Sequence, residues 1–176
     1  GVRLADGREL PADAVVFNFR RLMDPAKGCR CLAEVSSIRT VDKTGPYTVE
    51  FRLKAPNAAF PAVLADIAGL QTSPTAIRKA ESAGKNYAET PVGTGPFRFV
   101  EWKRGISLRV ERNPDYWQKG LPHLDAVVYR PIPDGQTRMA SLTAGDIRLA
   151  AVPAASDVAA AKSGQSRVKV IESPGL

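Results

Sequence analysis

Between Pro91 and Trp117 the chain reads PVGTGPFRFVEWKRGISLRVERNPDYW, the stretch that most constrains what it can fold into. Pro91, Gly93, Gly95 and Pro96 fall within six residues, which neither a helix nor a central strand tolerates. Glycine opens positive φ and proline removes a backbone donor, so a tightly shaped connection is expected. The pattern then turns to period two: Phe97 and Phe99 point one way, and Ile106, Leu108 and Val110 follow in the next run. Lys103-Arg104-Gly105 lies between them at hairpin length. Asn113-Pro114-Asp115 closes the stretch as a turn, with Tyr116-Trp117 behind it.

Upstream, Asp6-Gly7 suits a turn and Pro11 the first position of a helix. Val15, Phe19 and Leu22 recur at helical spacing, and Val16 and Phe17 broaden the apolar face. Asp13 sits in the first turn and Arg20-Arg21 in the last, where the helix dipole favours each. Asp24-Pro25 stops the helix, and residues 25–34 read as a loop. Two strand-like runs follow, Val35 to Asp42 and Tyr47 to Leu53, joined by Thr44-Gly45-Pro46 as an antiparallel pair. In the second run Tyr47, Val49, Phe51 and Leu53 share one face. Ala58 to Ala68 is expected to be a short apolar helix, and Ser73-Pro74 opens another that closes at Gly84.

Downstream, Ala126 to Arg130 is a β-branched run behind the turn residues Gly120 and Pro122. Asp134 caps a helix from Gly135 to Ala144, with Gly145 as its left-handed stop. Ile147 to Val152 and Val168 to Ile171 read as strands, with a helix from Ser156 to Gly164 between them. Strand, ten-residue helix, strand predicts a parallel, right-handed crossover.

Composition narrows the function classes. No apolar run approaches the roughly 20 residues needed to cross a bilayer. The net charge is +7, yet residues 1–90 carry 13 Lys and Arg against 10 Asp and Glu, and residues 91–176 carry 12 against 8. The excess is thus spread evenly, with no block of like charges, which favours a solvated surface over a nucleic-acid face. Cys29 and Cys31 are the two cysteines. They read as two unpaired side chains in a loop, as a local disulfide closing a strained small ring, or as partners of cysteines elsewhere. With His123 the one histidine, set in a turn, no closed metal site can be assembled and no metal is expected.

Catalytic inventories fail in the same way. A hydrolase triad needs a base beside a nucleophile, and His123 lies between Pro122 and Leu124. Gly93-Thr94-Gly95 is followed by neither Gly-Lys-Ser/Thr nor a helix, so it matches neither a P-loop nor a dinucleotide fingerprint, and no cofactor is expected. Asp134 and Asp146 are accounted for by capping and turns, and no enzyme is expected.

Taken in order, the motifs resemble the large periplasmic solute-binding proteins serving peptide and nickel ABC importers, extracellular solute-binding family 5. The resemblance is carried by DGRELPADAVVFNFRRLMDP at 6–25, VDKTGPYTVEFRLKAPNAAF at 41–60 and TSP at 72–74. It continues through residues 91–117, LDAVVYRPIPDGQTRMASLTAGDI at 124–147 and SPGL at 173–176. Pro11 stands where that family usually has Ser or Thr, Ala14 where Asp is frequent, and the loop around Cys29-Arg30-Cys31 is short.

The resemblance implies an α+β fold with mixed sheets and flanking helices, part of lobe I of a two-lobed periplasmic-binding-protein-like type II fold. Residues 1–90 would form an accessory subdomain and 91–176 part of the hinge-bearing subdomain, with the rest of a longer protein outside the chain. It also implies capture of a peptide or other small solute between two lobes, then delivery to an ABC permease in the inner membrane. The protein would be a monomer, in the periplasm or anchored there as a lipoprotein. Arg30 and Gln71, each in a loop after a structural element, are the candidate cleft-facing polar groups, plain surface loops being the competing reading. Two other classes stay open: the ligand-sensing domain of a DNA-binding regulator, and a basic nucleic-acid module.

Overall fold

The structure is a computed structural model that describes residues 1–151, 154–162 and 168–172. Helix α1, Ala12–Met23, starts one residue later than expected, so Pro11 is its N-cap. Proline brings no side-chain oxygen to that position, and the Ala12 N–H donates instead to the Pro46 carbonyl at 2.9 Å. The Asp24 carboxylate accepts from Ala26 N and Gly28 adopts φ 62°, which turns the chain out of the helix.

Cys29 and Cys31 are joined by a disulfide, with Cα atoms 5.2 Å apart. The unpaired-loop reading is thereby overturned. The loop curls at Arg30, Cys31 N–H points at Cys29 Sγ, and Cys31 is buried in the core. The expected loop also contains a helical turn, α2, Leu32–Val35. Because buried Val35 ends that turn, strand β1 begins only at Ile38 and runs Ile38–Gly45.

Strand β2, Thr48–Leu53, pairs antiparallel with β1, Val41 opposite Phe51. Val49, Phe51 and Leu53 pack on the core, whereas Tyr47 is exposed in the turn with its hydroxyl on Glu9. The core forms where α1 lies on this pair: Val16, Phe19, Val35, Ile38, Val41 and Phe60 are buried together. The Phe19 ring meets Phe51 edge-on at 4.7 Å, and Phe51 meets Phe60 at 5.4 Å.

Helix α3 is confined to Phe60–Leu64, shorter than the expected 58–68. Asp66 accepts from Ile67 N at 2.7 Å and starts a separate 3-10 turn, a local bond that competes with helix continuation. Helix α4, Pro74–Ser82, is capped by Ser73 Oγ accepting from Ala76 N, and Gly84 follows at φ 65°.

The second sheet is antiparallel in the order β3, Phe97–Lys103; β4, Ser107–Arg112; β5, Ala126–Tyr129. Gly105 supplies φ 74° in the hairpin turn. Phe99, Val110 and Val127 form one row across the strands; Trp102, Leu108 and Tyr129 form the next. A register shift between Phe99 and Glu101 keeps both rows on one face. The other face carries Arg98, Glu101, Arg109 and Glu111.

By contact the chain divides into Gly1–Tyr129 and Arg130–Leu176, so residues 91–129 group with the first part. Backbone hydrogen bonds from Ala5 to Gly93 and from Ser73 to Val92 tie the Pro91–Pro96 connection to the residues before it.

In the second unit, α5, Gly135–Ala144, is capped by Asp134 and stopped by Gly145 at φ 86°. Helix α6 spans Ala155–Lys162, with Ser156 inside it; Asp157 instead accepts from Ala154 N at 3.1 Å. Residues 147–151 and 168–171 form no strand, so the expected parallel crossover is absent among the described residues. The Ile147 N–H instead donates to Ser141 O at 3.4 Å, closing the turn at the end of α5. Val152 and Gly164 lie outside the described residues.

Candidate functional site

The connection through Pro91 to Pro96 is held from several directions. Ala5 N–H donates to Gly93 O at 2.8 Å and Ser73 N–H to Val92 O at 2.9 Å. The Tyr87 hydroxyl donates to Val92 O and accepts from Val92 N, at 2.9 and 2.7 Å. Buried Asn113 donates its backbone N–H to Pro96 O and its side-chain amide to Gly95 O, while its Oδ1 accepts from Asp115 N. Every group named here is used internally, so the connection is a structural joint and the Asn113 turn a packed one. Burial pushes the Tyr87 phenol above its ordinary pKa, against the lowering effect of its bond to Val92.

Next to this joint sits a polar network that the helical spacing did not reveal. Asn18 is 5% exposed in the apolar face of α1. Its amide donates to Ala14 O and Thr72 O, both at 2.9 Å, and more weakly to Gln71 Oε1 at 3.3 Å. Its carbonyl accepts from Thr72 Oγ1 at 2.6 Å. Beside it Ser73 Oγ donates to Asp6 Oδ2 at 2.8 Å. One signal for Asn18 was available: a polar residue four positions after Ala14 and next to Phe19, in a face otherwise apolar.

Of the candidate cleft residues, Gln71 belongs to this network. It is half-buried, its Oε1 faces Asn18 and its Nε2 donates to Gly69 O at 3.0 Å. Arg30 is exposed on the turn closed by the Cys29–Cys31 disulfide. No hydrogen bond brings the two together among the described residues.

Two grooves of about 460 and 420 Å³ flank α1, and a concavity of about 620 Å³ lies within the second unit. Neither Arg30 nor Gln71 lines any of them. His123 is exposed in its turn, where its carbonyl accepts from Arg112. No cluster of three or more His, Cys, Asp or Glu side chains able to hold a metal occurs among the described residues. No described helix is long and apolar enough to cross a membrane.

Residues 1–176 match the family described as bacterial extracellular solute-binding proteins, family 5 Middle. The chain belongs to this family. That is a family of solute-binding proteins, not of enzymes. Among curated relatives, the glutathione-binding protein GsiB of Escherichia coli O1:K1 / APEC is 34% identical over the whole chain, which covers 34% of that protein. The chain therefore spans about a third of the length of the curated relatives it matches.

Among solved structures, the oligopeptide-binding protein AppA of Bacillus subtilis, in complex with a nonapeptide, is 34% identical with a TM-score of 0.73. That match covers 84% of this chain and 30% of AppA. The ABC transporter-associated periplasmic binding protein DppA of Helicobacter pylori, in complex with the peptide STSA, is 28% identical with a TM-score of 0.80. It covers 94% of this chain and 36% of DppA. The fold is accordingly α+β, part of a lobe of the periplasmic-binding-protein-like type II fold.

Proposed function

We propose that this chain is part of one lobe of the substrate-binding component of an ABC importer, which captures a peptide or similar small solute between two lobes. The observation that carries the reading is the family match over residues 1–176 at about a third of the relatives' length. Relatives named for glutathione and for peptides make short peptides the first solutes to try.

Lobe closure traps the solute because the closed state binds it more tightly, and the closed form is what a membrane permease recognises. On this reading residues 1–90 act in the accessory subdomain and residues 91–176 on the hinge side. The protein works as a monomer in the periplasm, or held there by a lipid anchor. Arg30, exposed and without a carboxylate partner among the described residues, is the stronger solute-facing candidate; Gln71 is the weaker, because its amide is already engaged with Asn18 and Gly69.

Calorimetry with glutathione and with short peptides tests the proposal. The full-length protein is expected to bind at least one of them, and residues 1–176 alone to bind none. Micromolar binding by residues 1–176 alone would overturn the one-lobe account, and no binding by the full-length protein would overturn the choice of solute.

A further inference from the structure

The groove of about 460 Å³ between α1 and α4 holds more cationic charge than its own carboxylates use. Three acidic side chains line it, and each is engaged: Asp13 with Lys43 at 2.6 Å, Glu81 with Lys27 at 3.5 Å, and Asp24 with the Ala26 N–H at 3.0 Å. Arg20, on the rim, faces Asp42 at 3.7 Å. Arg21 and Arg78 remain, lining the same groove without a carboxylate within ion-pair distance among the described residues.

Both guanidiniums are placed to receive a ligand. The central carbon of Arg78 lies 4.9 Å from the centroid of the Phe17 ring. A guanidinium on an aromatic face is held flat by its charge and its plane, leaving edge N–H groups free to fork onto an oxyanion. Arg21 presents the complementary signal: its Nε is buried and has no hydrogen-bond partner. A buried unmade donor is costly and holds the Arg21 guanidinium short of its full set of partners, so a ligand oxygen in the groove would be taken by its terminal nitrogens.

We propose that this groove binds a small oxyanion, a carboxylate or a phosphate group, between Arg21 and Arg78. Its volume suits a small molecule with one or two such groups. With Lys43–Asp13, Lys27–Glu81 and Arg20–Asp42 paired, Arg21 and Arg78 stand against the one remaining carboxylate, Asp24, and the groove is left net positive. The inference stands on the first unit alone and does not depend on which solute the two lobes capture.

Titration calorimetry of the full-length protein with inorganic phosphate and, separately, with succinate tests it at low ionic strength. Saturable binding of at least one anion is expected, and the tighter of the two identifies the source chemistry. Arg78→Gln and Arg21→Gln should each weaken it by about tenfold or more, the usual effect of losing a charge-assisted fork. Arg78→Lys should recover only part of the loss, since an ammonium cannot fork. Arg98→Gln, which removes a cation paired with Glu111 on the second sheet, should leave binding unchanged. Arg78 is exposed, so Arg78→Gln decides the matter even if Arg21→Gln fails to fold. Absence of binding by the wild type up to millimolar anion, or wild-type affinity in Arg78→Gln, overturns the proposal.

Discussion

The two sheets of the first unit are built by the same sequence device and end in different states. In β1 and β2, alternation aims Val41 and Phe51 at α1, and the layer closes into a core holding Phe19, Ile38 and Val41 at no more than 3% exposure. In β3 to β5, alternation aligns Phe99, Val110, Val127, Trp102, Leu108 and Tyr129 on one face, yet none of them is fully buried. Trp102 is 45% and Tyr129 55% exposed. Period two creates an apolar face, but only a covering element turns it into a core. The first sheet has α1, which contributes its buried stripe directly.

The comparison breaks most readily through matched truncations. Phe19→Ala should cost about 3–5 kcal/mol, as expected for a fully buried aromatic leaving a cavity. Phe99→Ala removes the same ring from the half-buried sheet and should cost about 1–2 kcal/mol, since less area leaves water there. Denaturant unfolding of both variants measures the difference, and equal losses would show that the second face is as well packed as the first.

Asn18→Ala sharpens the same contrast from the polar side. It strips partners from Thr72 Oγ1 and Thr72 O inside the α1 layer and should cost about 2–3 kcal/mol. A change under about 0.5 kcal/mol, the range of ordinary surface substitutions, would show that the network is dispensable.

Tyr87→Phe removes both hydrogen bonds to Val92 at the joint between the two sheets, an expected loss of about 1–2 kcal/mol near neutral pH. The Tyr87 pKa is raised in the folded chain, so its contribution is complete below about pH 10, the ordinary phenol value. It is lost as pH rises through the higher folded value. Stability measured from pH 8 to 11 should therefore fall less steeply in the variant than in the wild type.

The smallest effect lies in the second unit. Hydrogen bonds from the Thr137 side chain and backbone hold the Asp134 carboxyl below its ordinary value. Its cap is complete above about pH 4, the ordinary carboxylate value, and fades as pH falls through the lower folded value. Helicity followed by circular dichroism should show α5 fraying at low pH, and Asp134→Asn, which keeps a capping oxygen, should remove most of that pH dependence.

Much of the first unit was legible because its signals are local. Ser73 caps α4, Gly84 takes positive φ and Gly105 turns the hairpin, each for a reason contained in a few residues, as Gly145 does in the second unit. The candidate site was far less legible. Loop position alone points to Gln71, but its amide oxygen accepts from Asn18, 53 residues away. The helix dipole alone accounts for Arg21 in the sequence, while its relation to Arg78 and Phe17 depends on how α1 meets α4. Both are long-range facts that periodicity does not encode.

The sequence by itself determined the order of helices and hairpins, the joint at Pro91 to Pro96 and the family, because capping, turn chemistry and alternation act between near neighbours. Only the tertiary structure decided that Cys29 and Cys31 are bonded, that β5 lies antiparallel to β4, and that residues 147–151 find no strand partner among the described residues. Pairing in each case depends on which distant backbone or side chain comes within reach, and that is a property of the packed chain.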